Sequence, residues 1–554
     1  METIPKVQAS SSYRLSAPIT SIPASDVERA IDVAFKYRNY FRKVITIPMI
    51  PKTRRVYSHY PVGHNELDEP AFTQPLMYDE IRSRRSVPSL YEDRLINEGV
   101  LTTESATDLR ATYKAYLNDQ LNDVDSYVPE ASMLQQQWSG IVWPASEDAV
   151  RDPETGVDHD TLLKVRRAST SVPEGFEIHT RLNRHVNNRN KSLDVGKGLD
   201  WATAEALAFG SLMLEGYDVR ISGQDVGRGT FSQRHAMLVD QKTEGVIVPL
   251  NAALNCEGKL ELANSPLSEM AVLGFEYGVS WERANILPIW EAQVIIDTFI
   301  SSGETKWLKQ SGITLLLPHG LDGAGPEHSS SRIERMLQLT NDRYTFPTDH
   351  TQTNVNMHIV FPTTPAQYFH LLRRQMKRNF RKPLIVAAPK GLLRLPAASS
   401  SLEDMEPGSR FKPVLDDPLF STDKADIERV VCLTGKLYYD LIKERQTRCQ
   451  SESAASKVAF IRIEELCPFP FHDLAEILKT YSNAKEFIWL QEEPRNQGAY
   501  SFVQGRINEV LRHIGKSDRV EYRGRSEDAV PAPGVARVYK SQQTKVMDSA
   551  FDRM

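Results

Sequence analysis

From about residue 199 onward the chain alternates short apolar runs with longer helical patterns, and that alternation constrains its fold more than any other feature. YDVRISG, ILPIWEA, GITLLLPHG, NMHIVFPTT and KPLIVAAPK read as strands. Between them lie helical stretches: Trp201 to about Leu214 opened by Asp200, then VIIDTFIS, RIERMLQL and PAQYFHLLRRQMKR. Strands buried on both faces lose the in–out alternation and become continuous apolar runs, so this texture predicts an α/β domain with a mainly parallel sheet. After PAASSSLEDMEPGSR (396–410), which reads as a linker, the pattern resumes in a smaller α/β unit: RVVCLTG, KVAFIRIEEL and EFIWLQEEP as strands, KLYYDLIKERQ, FHDLAEILKTY and YSFVQGRINEVLRHI as helices.

Upstream the texture differs. Residues 1–25 read as a Ser- and Pro-rich tail, Asp26–Lys43 as a helix, 76–125 as helices with a polar loop near Gly99, and 126–195 as a loop-rich connection. The domain organisation expected is thus 1–125, 126–195, 196–395, the linker 396–410, and 411–554. At 554 residues the chain has room for several cores. Its net charge of −5 argues against a dedicated nucleic-acid binder. No apolar run reaches the roughly 18 residues of a membrane span. The first twenty residues read as neither a secretory signal nor a transit peptide. Cys256, Cys432, Cys449 and Cys467 form no CxxC pair and read as reduced, mostly buried thiols, so no metal site is expected from them.

In a parallel sheet, ligands gather at the carboxyl ends of the strands. The loop after 313–317 holds His319, Gly320, Gly323, Gly325, Glu327 and His328. Ser331-Arg332-Ile333-Glu334 follows with the spacing of a capping box. By spacing alone the plainer reading is a glycine-rich turn with two solvated histidines. The loop after 219–222 concentrates Gln224, Asp225, Gly227, Arg228, Ser232, Arg234 and His235, as a ligand loop or a polar surface turn. Glu269 precedes an apolar helical run, where a carboxylate either polarises a cofactor nitrogen or simply meets the helix dipole. The basic run Arg373, Arg374, Lys377, Arg378, Arg381, Lys382 reads as a solvated face that could meet an acidic partner.

SGQDVGRGTFSQRHA, NSPLSEMAVLGFEYG, IWEAQ, LLLPHGLDGAGPEHSSSRIERMLQL, FHLLRRQMKRNFRKPLIVAAPKGLLR and WLQEEPRNQGAYSFVQGR, with GHNELDEPAFTQPLMY upstream, resemble the 2-oxoglutarate dehydrogenase family. This is the thiamine-diphosphate-dependent decarboxylating component. The details are most similar to the mitochondrial 2-oxoadipate dehydrogenase-like branch. The resemblance implies a transketolase-like, parallel-sheet pyrimidine-binding domain, a smaller C-terminal α/β domain, and a helix- and loop-rich remnant of the diphosphate-binding domain at the N-terminus. It implies thiamine diphosphate and Mg2+ as cofactors and a 2-oxo dicarboxylate as substrate. It also implies a homodimer, a dihydrolipoamide acyltransferase core and dihydrolipoamide dehydrogenase as partners, and a place in the mitochondrial matrix, in the tricarboxylic acid cycle or lysine degradation.

By motif, Glu269 resembles the glutamate that hydrogen-bonds the aminopyrimidine ring, and His328 an active-site histidine. His319, Gln224, Asp225 and His235 are expected in the same pocket. The sequence departs from the family in two respects. A GDxxxxGQG-type segment and an Asn-Asn-Gln segment, which carry the magnesium ligands, do not occur. Gln293 is followed at once by Val294-Ile295-Ile296-Asp297, without the aromatic loop the family places there. The expectation is that this chain alone is inactive. The alternative is a non-catalytic relative at a dimer or complex interface.

Overall fold

The computed structural model describes residues 75–83, 85–122, 134–229, 232–264, 269–289, 295–321, 329–348, 354–388, 390–420, 424–449, 457–516 and 519–552. The Asp26–Lys43 helix, the GHNE segment and His328 lie outside these residues. Two compact units, 1–132 and 133–554, divide the chain.

In the first unit the described residues form the helices Pro75–Ser83, Val87–Asn97 and Thr103–Asn122. Ser86 caps the second, accepting from the Ser89 N–H, and Pro88 fits its first turn. Gly99, at φ +74°, turns the chain toward the third.

In the second unit the strands are β1 (Asp218–Gly223), β2 (Leu238–Val239), β3 (Val246–Ile247), β4 (Leu260–Asn264), β5 (Ile286–Ile289), β6 (Thr314–Pro318), β7 (His358–Val360), β8 (Leu384–Ala388), β9 (Val414–Leu415), β10 (Arg429–Leu433), β11 (Val458–Ile463), β12 (Glu465–Cys467), β13 (Glu486–Pro494) and β14 (Glu521–Arg525). One sheet has the order β12-β7-β8-β6-β5-β1-β4, and a second β14-β13-β10-β11-β9; β2 and β3 pair as a small ribbon. Every pairing in the first sheet is parallel except β12 on β7. In the second only β9 on β11 is antiparallel. The expected α/β class with parallel sheets is therefore what folds. The apolar strands β5, β10 and β11 are buried along their whole length.

The helix Trp201–Leu214 starts where Asp200 accepts from the Thr203 N–H. It is apolar on all sides because it is buried on nearly all sides. Gly210 makes that possible: a Cβ there would stand 2.3 Å from Cγ1 of the buried Val165.

Several local readings are corrected. The region 126–195 contains the helices His159–Ser169 and Thr180–Val195. The second buries only Leu193, so its sequence carries no apolar stripe. The 396–410 segment is packed rather than solvated: Ala398, Leu402 and Met405 are buried, and Ser400 exchanges backbone hydrogen bonds with Leu199. Arg373, Arg374, Arg378, Arg381 and Lys382 are all buried, not a solvated face. Arg373 reaches Glu215 at 2.6 Å and the Thr155 carbonyl at 2.8 Å. Arg374 forks onto Glu465 at 2.7 and 3.0 Å. Arg378 donates to the Arg151 carbonyl and to His358 Nε2, both at 2.8 Å. Arg381 donates to the Ala284 carbonyl at 3.0 Å, and Lys382 pairs with Glu304. Burial pushes Arg378 down to about 9 and Arg381 to about 10. No disulfide forms; Cys432 and Cys467 are buried, but Cys449 is exposed.

Candidate functional site

The parallel strands β1, β4, β5 and β6 aim their carboxyl ends at one edge of the first sheet. β1 ends at Gly223, so Gln224 and Asp225 stand on that edge. Glu269 is the first residue of the helix Glu269–Glu282, which follows β4 in the chain. His319 directly follows the end of β6. The topology thus brings three widely separated sequence segments to one edge. Farther along its helix, Glu276 is buried and accepts from Arg220 at 2.9 Å and Ser222 at 2.5 Å, which ties this helix to β1.

Beside β1 opens a cleft of about 640 Å³. Asp225 and His235 line it, with His179, Arg181, His185, Arg228 and Arg394 among the other walls. Asp225, Ser232 and His235 hold positive φ angles of 53°, 52° and 49°. Non-glycine residues in that conformation cost energy and concentrate where a surface is shaped for a ligand. Asp225 pairs with Arg228. His235 Nε2 lies 3.0 Å from the Ser232 carbonyl, and its ring stacks on His185 at 5.8 Å between centroids. Burial lowers its pKa, and Arg189, His185 and Arg228 lower it further. The cleft sets Arg181, Arg228 and Arg394 against Asp200 and Asp225, and this surplus of donors suits a carboxylate-bearing ligand. Gln224 is exposed nearby on the same edge.

His319 does not share this wall. It is fully buried where the two sheets meet, its ring edge-on to Phe361. The Ser331 backbone N–H donates to Nδ1 at 3.1 Å, so Nε2 carries the proton and donates to Glu493 Oε1 at 2.5 Å. Burial opposes its protonation, yet Glu493, with Glu492 and Glu334 behind it, raises its pKa above the ordinary value. Ser331 is accordingly not a helix cap. The helix Ile333–Gln338 has Arg332 at its cap position with φ +54°, and Glu334 accepts instead from the Gly498 N–H at 3.0 Å. Glu269 has a placed backbone only, and His328 falls outside the described residues.

His179, Arg181, His185 and Arg394 were not singled out from the sequence. The first three sit on or at the start of the polar helix Thr180–Val195, and nothing local marks them. Glu493 is likewise invisible as a partner of His319, 174 residues away. Among the described residues no group of three or more His, Cys, Asp or Glu side chains gathers as metal ligands, and no helix is long and apolar enough to cross a membrane.

Comparison with known proteins places these features. Family profiles match in order: the dehydrogenase E1 component over 25–132, the transketolase pyrimidine-binding domain over 197–396, and the 2-oxoglutarate dehydrogenase C-terminal domain over 399–551. The chain is 48% identical to the 2-oxoadipate dehydrogenase complex component E1 of Danio rerio, and 47% identical to that of Homo sapiens. Each match covers 95% of this chain and 56% of the relative. It is 42% identical to the 2-oxoglutarate dehydrogenase E1 component of Brucella anthropi, over 97% of this chain and 53% of that protein. The chain thus spans little more than half the length of these relatives. With three family segments in sequence and this identity along nearly its whole length, the chain belongs to the 2-oxoglutarate dehydrogenase E1 family.

Proposed function

We propose that this chain supplies the aminopyrimidine-facing side of a thiamine-diphosphate-dependent 2-oxoacid dehydrogenase. The reaction would be oxidative decarboxylation of 2-oxoglutarate or 2-oxoadipate with acyl transfer to lipoamide. The observation that carries this reading is the carboxyl edge of the first sheet, where a helix beginning with Glu269 stands beside a cationic cleft at the end of β1. On this reading the edge takes the ring end of the cofactor. Glu269 would hydrogen-bond a ring nitrogen, and Arg181, His185, Arg228 and Arg394 would meet the carboxylates of a dicarboxylate substrate. Bound there, thiamine diphosphate would supply a nucleophilic carbon for chemistry at a 2-oxo group. Gln224, Asp225 and His235 would shape the cleft, and His328 would act on substrate. By the same reading the chain forms a homodimer and works with an acyltransferase core and dihydrolipoamide dehydrogenase in the mitochondrial matrix.

The diphosphate end is a different matter. The sequence lacks the GDxxxxGQG-type and Asn-Asn-Gln segments, and Gln293 runs straight into Val294. Hard oxygen ligands for magnesium must come from protein as well as phosphate. Without that anchor and the stacked aromatic, affinity falls by several kcal/mol, about a thousandfold. We therefore expect the purified chain to show no turnover with magnesium, thiamine diphosphate, either 2-oxo diacid and an artificial electron acceptor. Turnover above the no-protein blank that disappears in Glu269→Ala would overturn this expectation. The departure after Gln293, inside the chain, favours a second reading, a non-catalytic subunit at a dimer or complex interface. Calorimetric titration separates the two: weak binding of thiamine diphosphate lost in Glu269→Ala supports the first, and no binding by an intact dimer the second.

A further inference from the structure

Residues 492–498, in and just after β13 of the other sheet, grip the turn that follows the candidate cofactor edge from two sides. On one side, Glu493 takes the Nε2 proton of His319, and Glu492 Oε1 accepts from the Leu321 N–H at 3.2 Å. On the other, Arg332 donates to Gln497 Oε1 at 3.2 Å, and Glu334 accepts from the Gly498 N–H. His319 joins the two sides, because its Nδ1 accepts from the Ser331 N–H and the Ser329 carbonyl accepts from the Gly320 N–H at 3.0 Å. Tyr539 adds a hydrogen bond to the Leu321 carbonyl at 2.6 Å. Both ring nitrogens of His319 are occupied and the ring is shut away from solvent. It has no free atom with which to touch a substrate.

We propose that Glu493 is a positioning residue. It fixes His319 in the Nε2–H tautomer, and His319 so fixed holds the Ser329–Glu334 turn at the carboxyl edge of the first sheet. This role rests on the reading of that edge as the cofactor side. A carboxylate is the right partner for the task. It can only accept, so it admits one tautomer, and a charge-assisted hydrogen bond in a buried site is stronger than a neutral one. The groups facing the ring are Glu493 and Glu492 from β13, Glu334 from the helix Ile333–Gln338, and Ser331; Lys436 stands 3.4 Å from Glu492, and Arg525 donates to the Glu492 carbonyl. Negative charge dominates around the imidazole.

The test uses the full chain and needs no cofactor. Hydrogen exchange would be followed at Ser331 and along 333–337, with β10 and β11 as remote controls, and the His319 ring titrated by 15N NMR. In Glu493→Ala the Ser331 amide should exchange at least tenfold faster while β10 and β11 stay within twofold of the parent. In Glu493→Gln, which keeps an acceptor oxygen and the side-chain shape, Ser331 protection should be retained. The His319 midpoint should nevertheless fall, because the charge is gone. Packing alone would not move that midpoint. The proposal is overturned if Ser331 is unaffected in Glu493→Ala, if the remote strands speed up equally, or if the midpoint in Glu493→Gln equals the parent's. Should Glu493→Ala fail to fold, the Glu493→Gln midpoint decides. A chain that shows these responses but binds no thiamine diphosphate keeps the positioning role and loses the functional reading.

Discussion

His358 and His370 are the histidines whose surroundings speak most directly to pH. His358 Nε2 accepts from Arg378, so Nδ1 donates to Glu465, 2.9 Å away, and burial with Arg378 nearby depresses its pKa to about 3. His370, between Thr155 and the Asp404 carbonyl, is pushed down to about 4, mainly by burial. Both are neutral when folded and take up a proton when unfolded near pH 6.5. Their stabilisation is whole above that pH and is lost as pH falls toward 4, at up to about 1.4 kcal/mol per pH unit for each histidine. His319 has the opposite sign, since its raised pKa makes its contribution fade as pH rises through that value. Urea midpoints measured at pH 7, 6 and 5 should fall with pH, and His358→Gln should flatten the slope by about one histidine's share. An unchanged slope would mean His358 is not the neutral bridge between Arg378 and Glu465. None of these partners could be read from the chain: the run Arg373–Lys382 looks like a charged surface because its carboxylates and carbonyls come from positions as distant as Thr155, Ala284 and Glu465.

The helices and strands themselves were largely legible. Trp201–Leu214 begins at Asp200 because a carboxylate caps it, and the apolar runs became β1, β5 to β8, β10, β11 and β13. The misses have a common cause. β4, LELAN, is half polar, β9 has two residues, β14 is charged, and the Thr180–Val195 helix is polar on most faces. Their placement comes from pairing and docking, not from local pattern. Ser331 and Glu334 had capping-box spacing, but His319 and Gly498 recruited them. At this scale Gly210 gives a clean test. Gly210→Ala would gain about 1 kcal/mol of helix propensity. It would also drive a methyl into Val165, which is buried and branched close to its backbone. Overpacking of this kind typically costs about 1–3 kcal/mol. We expect net destabilisation in a urea titration, relieved when Val165→Ala is added in the same chain. Additive losses in the double variant would rule out the clash.

Across the 133–554 unit, the two sheets share more than a face. The chain leaves β11 and within two residues becomes β12, the edge strand of the other sheet, with Glu465 opposite Val360. Glu464 at the crossing is buried, accepts from the Thr363 hydroxyl and N–H, and has its pKa raised by burial to about 7. Glu465 beside it neutralises Arg374. The strand order and this crossing are properties of long-range pairing, which no local pattern encodes. We expect the unit to unfold in one transition, with amides in β8 and in β11 sharing the same denaturant dependence by hydrogen exchange. Two separate dependences would show that the sheets are independent.

The β12 crossing also bears on how the protein is made. β7 is complete once residue 360 is synthesised, yet its edge partner ends at residue 467. At about 5–20 residues per second, roughly 5–20 seconds pass on the ribosome with that edge unpaired. An open edge strand is a template for pairing with a foreign chain. During that interval Arg374 and His358 also wait for Glu465. The nascent chain is therefore most exposed to misassembly after its first sheet is nearly built, and a translational pause placed between positions 360 and 467 would lengthen the hazard.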